Sequence, residues 1–346
     1  AVDVFDIRWR DESWHEVLRL ICGMLDERFA SHLVDQLLNG SKSDGDVPDF
    51  TPANVELAVR CLGELRNLNL VTDTTNLAMR KVIEVFGNLT PEAISNKTSD
   101  FLTELTEAIK AIGPGWPNKT VLVRLLNEFD PSDGTWLWRS HFSEFVLALG
   151  AGLDDVRDEL VGYAGRDYPH FRYLWPLPLA KGWRSDPQTL TLLRQQISND
   201  PYGTCRMVAA EALVLNYESD PETVSLMRDR LEADPSSAVK GRAIAYLARC
   251  DDSSSIPLFI KYLSGEVHLR AGSLRALTPH IGDEVVLQAI LKQAFIEPVP
   301  WLRNSFYDTL SARMNDSRVK EMLVDRAAND EEEEVRAHVR NILSKS

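Results

Sequence analysis

Apolar residues recur at helical spacing along almost the whole chain. Trp14, Val17, Leu18, Ile21, Cys22 and Leu25 follow an i, i+3, i+4, i+7 rule, and Leu33, Val34, Leu37 and Leu38 continue it. Phe101, Leu102, Leu105, Ile109 and Ile112 do the same, as do Leu122, Leu125, Leu126 and Phe129. No stretch alternates apolar and polar with β-branched enrichment, as a half-buried strand would. The pattern predicts an all-α fold. It places hairpins at 12–38, 53–88, 99–129 and 136–162, with breaks at 39–50, 113–120, 130–135 and 162–183, where Gly, Pro, Ser and Asp cluster.

From Asp186 the chain repeats itself. "DPQTLTLLRQQISNDPYGTCRMVAAEALVLNYES" aligns without gaps on "DPETVSLMRDRLEADPSSAVKGRAIAYLARCDDS", which starts at Asp220, at a period of 34. Each copy opens with Asp-Pro, an aspartate suited to cap a helix and a proline suited to its first position. A second Asp-Pro, at 200 and 234, separates two helices because proline cannot continue the first.

An apolar–basic pair then opens each second helix: Cys205-Arg206, Val239-Lys240, Leu269-Arg270, Leu302-Arg303 and Val335-Arg336, at steps of 34, 30, 33 and 33. Small or apolar residues follow at +3, +4 and +7, such as Ala209, Ala210 and Leu213, or Phe306, Tyr307 and Leu310; the fifth unit departs, with Arg340 at +4. An acid stands six residues before the base in four units, at Asp200, Asp234, Glu297 and Asp330, while the third has Ser264. The fixed offset predicts a ladder of ion pairs and caps between stacked units. If partly exposed, each pair contributes about 0–1 kcal/mol, and apolar faces supply most of the cohesion. A ligand-binding row of arginines is the alternative reading.

Composition narrows the function. The 346 residues are 44% hydrophobic and 26% charged, an ordinary globular balance for a chain too long for one compact core. A net charge of −14 opposes nucleic acid and anionic membrane, and points to neutral or basic protein partners. No apolar run approaches the ~20 residues of a membrane span, and no secretory leader is visible. The expected location is cytoplasmic, and the opening Ala1 suggests a chain cut from a longer one. Cys22, Cys61, Cys205 and Cys250 are far apart and read as reduced, mostly buried thiols. No metal-ligand spacing occurs among the histidines.

The period, the Asp-Pro turns and the apolar–basic openings of 186–346 resemble HEAT repeats, helix pairs stacked into a right-handed α-α superhelix. A second resemblance covers the remainder. "DESWHEVLRLICGMLDE", with Trp14, Glu16, Val17 and Gly23, resembles the helix following the nucleotide module of NACHT-family NTPases, of the STAND class. "VELAVRCLGELRNLN", with Ala58, Cys61, Leu62, Glu64 and Asn67, resembles a later segment; "LAKGWRSDPQTL", with Gly182, Trp183, Asp186 and Pro187, resembles the start of the repeat array. The resemblance implies the C-terminal sensing and autoinhibitory region of a bacterial signalling ATPase, linked to antiphage or innate-immune defence. Residues 1–50 would follow the ATPase module, 51–185 would be irregular hairpins and 186–346 about five repeats. ATP and Mg²⁺ would belong to the upstream module, with no cofactor, metal or catalytic residue in this chain and an intramolecular contact with that module.

Three further features need weighing. "GPGWPNKT" (113–120) imitates a phosphate loop, but Asn118 replaces its second glycine, Pro114 and Pro117 lack N–H groups, and a helical pattern precedes it. It reads as a turn, ended by Gly113 on one side and capped by Asn118 on the other. Trp136, Trp138, Tyr168, Phe171 and Trp175 are dense enough to form an aromatic interaction surface, although such aromatics also pin irregular loops. Trp136, Trp138 and Trp175 with Asp154 or Asp155 would serve an alkylpurine DNA glycosylase, which like bilin lyases uses such a scaffold; the charge opposes this. A stand-alone scaffold or adaptor is the other alternative.

Overall fold

In the computed structural model the described residues are 2–39, 53–88, 96–117, 119–131, 138–217 and 220–345. Every regular element among them is helical. The chain divides into two compact units, Ala1–Leu192 and Leu193–Ser346.

The first unit holds α1 (Val2–Arg8), α2 (His15–Met24), α3 (Glu27–Asn39), α4 (Ala53–Gly63), α5 (Thr72–Gly87), α6 (Asn96–Ile112), α7 (Thr120–Glu128), α8 (Arg139–Gly150), α9 (Asp154–Ala164), α10 (Pro169–Arg172) and α11 (Pro176–Gly182). α12 (Pro187–Asn199) spans the division. The hairpins expected at 12–38, 53–88, 99–129 and 136–162 are α2–α3, α4–α5, α6–α7 and α8–α9. Positions the periodicity selects are buried at Leu18 and Cys22 on α2, Leu33, Val34, Leu37 and Leu38 on α3, and Leu122, Leu125 and Leu126 on α7, whereas Val17, selected with them, is 41% exposed. Each large side chain taken fully from water contributes about 1.5–3 kcal/mol. A cluster of phenylalanines joins α5, α7 and α8: Phe86 lies 5.6 Å from Phe145, and Phe129 stacks on Phe142 at 5.4 Å. Tyr163 ties α9 to α7 by donating to the Leu126 carbonyl at 2.5 Å.

The stretch 162–183 corrects the expectation of a simple break. "WPLPLAKG" forms α11, with Pro176, Leu177, Pro178, Leu179 and Ala180 all buried. Its prolines occupy the first turn, where a helix needs no N–H donors. The breaks at 39–50 and 130–135 fall largely outside the described residues.

The second unit stacks helical hairpins. α13 (Gly203–Asn216) follows α12; then come α14 (Pro221–Ala233) with α15 (Ser237–Arg249), α16 (Ile256–Tyr262) with α17 (Val267–Leu277), α18 (Glu284–Ile296) with α19 (Pro300–Ser311), and α20 (Ser317–Asn329) with α21 (Glu333–Ser344). Second helices pack on one another, α13 on α15, α15 on α17 and α19 on α21. The small and apolar positions meet there: Ala209, Ala210, Leu213, Ala243, Ile244, Leu247, Phe306, Tyr307 and Leu310 are all buried. The shortened step of 30 has a structural counterpart, since α16 has only 7 residues after a 3-10 turn at Ser253–Ser255. Asp220 accepts from the N–H groups of Glu222 and Thr223, and Asp283 from those of Val285 and Val286.

Candidate functional site

The repeated acids and bases of the second unit form a buried ladder. Arg206 donates from Nε and Nη2 to both carboxylate oxygens of Asp234, at 2.8 and 2.7 Å. Arg270 grips Glu297 in the same two-pronged way, at 2.8 and 2.7 Å. Arg303 reaches Asp330 through Nη2 alone, at 3.1 Å. Each arginine spends Nη1 inside its own unit: Arg206 on the Asp200 carbonyl at 2.8 Å, Arg270 on that of Gly265 at 2.8 Å, Arg303 on that of Glu297 at 2.9 Å. Arg336 repeats this contact with the Asp330 carbonyl and pairs with Glu333 of its own helix at 2.6 Å. The acids also hold the turns. Asp200, Asp234, Glu297 and Asp330 each accept the N–H two residues on, from Tyr202, Ser236, Val299 and Glu332.

Burial changes the energetics expected from the sequence. The Arg206 side chain is 8% exposed and that of Asp234 0%. Such a pair is no surface ion pair: its net contribution is small once desolvation is counted, but removing one partner strands a buried charge at about 3–5 kcal/mol.

The ladder has one gap, and both of its sides are missing together. Lys240 makes no rung; its ammonium lies 5.3 Å above the Tyr262 ring. The position that would receive it is Ser264, which is exposed and bonds the Lys261 carbonyl.

A second row of pairs escaped the sequence reading. Arg194 of α12 donates to Asp220 at 2.5 Å and to Thr223 at 2.9 Å, at the start of α14. Arg228 of α14 donates to both oxygens of Asp252 at 2.9 and 2.8 Å. The first helices are thereby tied as the second helices are, each arginine holding the aspartate that opens the next hairpin. The signal was available: Arg194 and Arg228 occupy the same place in the aligned 34-residue copies.

These contacts predict acid lability. Burial would raise the Asp252 carboxyl, but Arg228, Ser255 and Ser254 outweigh it and hold the group at about 2. Asp220 and Asp234 are also lowered against the pull of burial, by Thr223 and Arg194 and by Arg206 respectively. A carboxyl whose folded pKa is depressed stabilises the fold above its unfolded pKa and loses that contribution as pH falls through the folded one. Unfolding free energy of the second unit, measured by urea titration, should therefore vary little with these groups down to about pH 4 and fall steeply towards pH 2. A flat profile to pH 2 would show that the pairs leave these carboxyls unperturbed.

The aromatic set does not form a surface. Trp138, Phe171 and Trp175 are buried, Tyr168 alone is exposed, and Trp136 lies outside the described residues. Phe171 packs edge-on against Tyr163 at 5.1 Å with the Arg166 guanidinium over it at 4.4 Å. The sequence density reflects a core wrapped by short helices. Trp138 and Trp175 consequently cannot cradle an extruded base, although Asp154 and Asp155 are exposed at the start of α9. In "GPGWPNKT", Gly113 has φ +42°, a left-handed conformation suited to ending α6, and Trp116 is buried. Asn118 lies outside the described residues, and α7 starts at Thr120.

The first two of the three segments carrying the second resemblance meet in space. Gly23 of α2 faces Glu64, whose Cβ would lie 3.4 Å from a Cβ at that position, an ordinary contact, and Arg19 pairs with Glu64 at 2.5 Å. Cys22 and Cys61 are buried at this contact; their mutual hydrogen bond, then burial, push the Cys61 thiol well above its ordinary range. On the other side of α2, Val17, Leu20 and Met24 form an exposed apolar stripe.

Beside α5 and α7 runs an open groove of about 710 Å³, lined by Arg80, Glu84, Arg124, Glu128, Phe129 and Asp130 among others. Its charges alternate in sign and converge on no point. Among the described residues no group of three or more His, Cys, Asp or Glu is placed to hold a metal ion, and no helix is long and apolar enough to cross a membrane. No family model matches the chain, and no curated protein shows significant similarity to it.

Proposed function

We propose that this chain is a non-catalytic protein-interaction solenoid, the C-terminal sensing and autoinhibitory region of a NACHT-type signalling ATPase of the bacterial cytoplasm, acting in antiphage or innate-immune defence. The ladder carries the first part. The arginines of the alternative, ligand-binding reading donate to carboxylates and carbonyls inside the stack. They hold hairpins together, and repeated hairpins offer extended surfaces for a protein partner.

The NACHT assignment rests on the ordered resemblance. The exposed stripe of Val17, Leu20 and Met24 adds to it, lying on the helix that the resemblance places next to the nucleotide module. That stripe is the surface for the intramolecular contact, with ATP and Mg²⁺ held by the module and not by this chain.

Purified chain should hydrolyse ATP no faster than a buffer control; Mg²⁺-dependent turnover would overturn the non-catalytic reading. The reading frame upstream of Ala1 should encode a phosphate loop between a strand and a helix. If it does not, the chain is a stand-alone scaffold, and only the interaction role stands.

A further inference from the structure

We infer that the edge of the second unit formed by the turns between paired helices is a docking surface for a cationic amphipathic segment of a protein partner. This rests on the interaction reading above and names where the partner sits and what chemistry it presents.

The ladder assembles this edge. The Arg270–Glu297 rung sets the start of α17 beside the α18–α19 turn, and the Arg303–Asp330 rung sets that turn beside the start of α21. One edge therefore carries Val267, then Phe295, Ile296 and Trp301, then Glu331 to Glu334. Phe295, Ile296 and Trp301 are 61%, 60% and 56% exposed. Their counterparts in the other repeats are different: Ser198, Asn199 and Thr204 in the first repeat, Glu232, Ala233 and Ala238 in the second, Ala328, Asn329 and Glu334 in the last, while Tyr262 and Leu263 of the third are buried. Folding of the repeat does not demand large apolar groups at these positions. Their exposure at one turn marks a site for a partner.

Charge selects the partner. Glu331, Glu332 and Glu334 are exposed and make no ion pair among the described residues; Glu333 alone is engaged, by Arg336 and Arg340. Glu266, 3.8 Å from the His268 ring, adds a further exposed carboxylate beside Val267. Of the nearby cations, Arg326 lies over the face of the Phe295 ring, 4.6 Å away, and Lys292, one turn before Ile296 on α18, is exposed; Glu331, Glu332 and Glu334 outnumber it. A partner that buries Trp301 and Phe295 must neutralise these glutamates, so it presents lysine or arginine beside bulky apolar residues. Phosphate-bearing surfaces are repelled by the same carboxylates.

The test uses the full chain and a fluorescein-labelled helical peptide of Lys, Leu and Trp, read by fluorescence anisotropy, with a Glu-for-Lys peptide and anionic vesicles as comparisons. The Lys peptide should bind, and more weakly as salt rises. Phe295→Ala with Trp301→Ala should weaken it by roughly tenfold or more, as loss of aromatic anchors does. Glu331→Lys, Glu332→Lys and Glu334→Lys together should weaken it comparably and remove its salt dependence. All these positions are exposed, so both variants should keep the wild-type circular dichroism; the charge reversal at the start of α21 opposes its dipole and should lower the melting temperature slightly. Undiminished binding by both variants overturns this surface while leaving the interaction role intact. Absence of binding, preference for the Glu peptide or the vesicles, or sedimentation showing that copies of the chain pair through Trp301 also overturn it. None of these outcomes bears on ATP turnover, which tests the role separately.

Discussion

Replacing Arg206 by alanine should destabilise the second unit by about 3–5 kcal/mol, a large share of what a domain of this kind possesses. Three losses coincide. Asp234 is left in a site with no solvent access without both of its hydrogen bonds from Arg206, and only Arg230, at 3.9 Å, remains as a nearby cation. The Asp200 carbonyl loses its donor, as does that of Pro201. The turn that Asp234 holds through the Ser236 N–H is left beside a carboxylate that only Arg230, at 3.9 Å, still opposes. Because stacked repeats are stabilised by nearest-neighbour interfaces, the effect should be local, with amide exchange rising first in α13 to α15. Lys240→Ala, at the gap, should cost only about 0.5–1 kcal/mol, since it removes one cation–π contact. Replacing both partners, Arg206→Met with Asp234→Leu, should recover only the part due to the stranded charge, because the Asp200 and Pro201 carbonyls and the Ser236 N–H still lack these partners. Urea unfolding followed by circular dichroism reads all three. An Arg206→Ala loss below 1 kcal/mol would return the ladder to the class of surface pairs.

Trp175→Ala should destabilise the first unit by about 3–5 kcal/mol, whereas Tyr168→Ala should stay within about 0.5 kcal/mol of wild type. The two residues come from the same aromatic stretch, and a surface reading would rank them alike. Trp175 is fully enclosed at the start of α11, so its removal opens a large cavity among Leu174, Leu179 and their neighbours, all buried. Tyr168 is 71% exposed. Trp175→Phe should cost far less than the alanine, because the indole N–H has no hydrogen-bond partner and its loss offsets part of the lost volume. Equal stability of the two alanine variants, by thermal or urea unfolding, would show that the stretch is peripheral.

The two units differ in how far the sequence could be followed. In the second, the period, the helix-opening aspartates and the recurring base all survive translation into structure, because each repeat solves the same packing problem against a copy of itself. In the first, helix positions followed from apolar spacing, but "WPLPLAKG" was misread as a break. Its prolines disrupt a helix interior and fit a first turn equally well, and only the location of the helix start decides between them.

By itself, the sequence determined the all-helical fold, the hairpin positions and the existence of an acid–base ladder, since these depend on local periodicity and fixed offsets. Tertiary structure alone decided that the ladder is buried rather than solvated, that Arg194 and Arg228 form a second row, and that Trp138, Phe171 and Trp175 lie inside while Phe295, Ile296 and Trp301 lie outside. Hydrophobic spacing says which face of a helix is apolar. What covers that face depends on helices tens of residues away, and no local pattern carries that information.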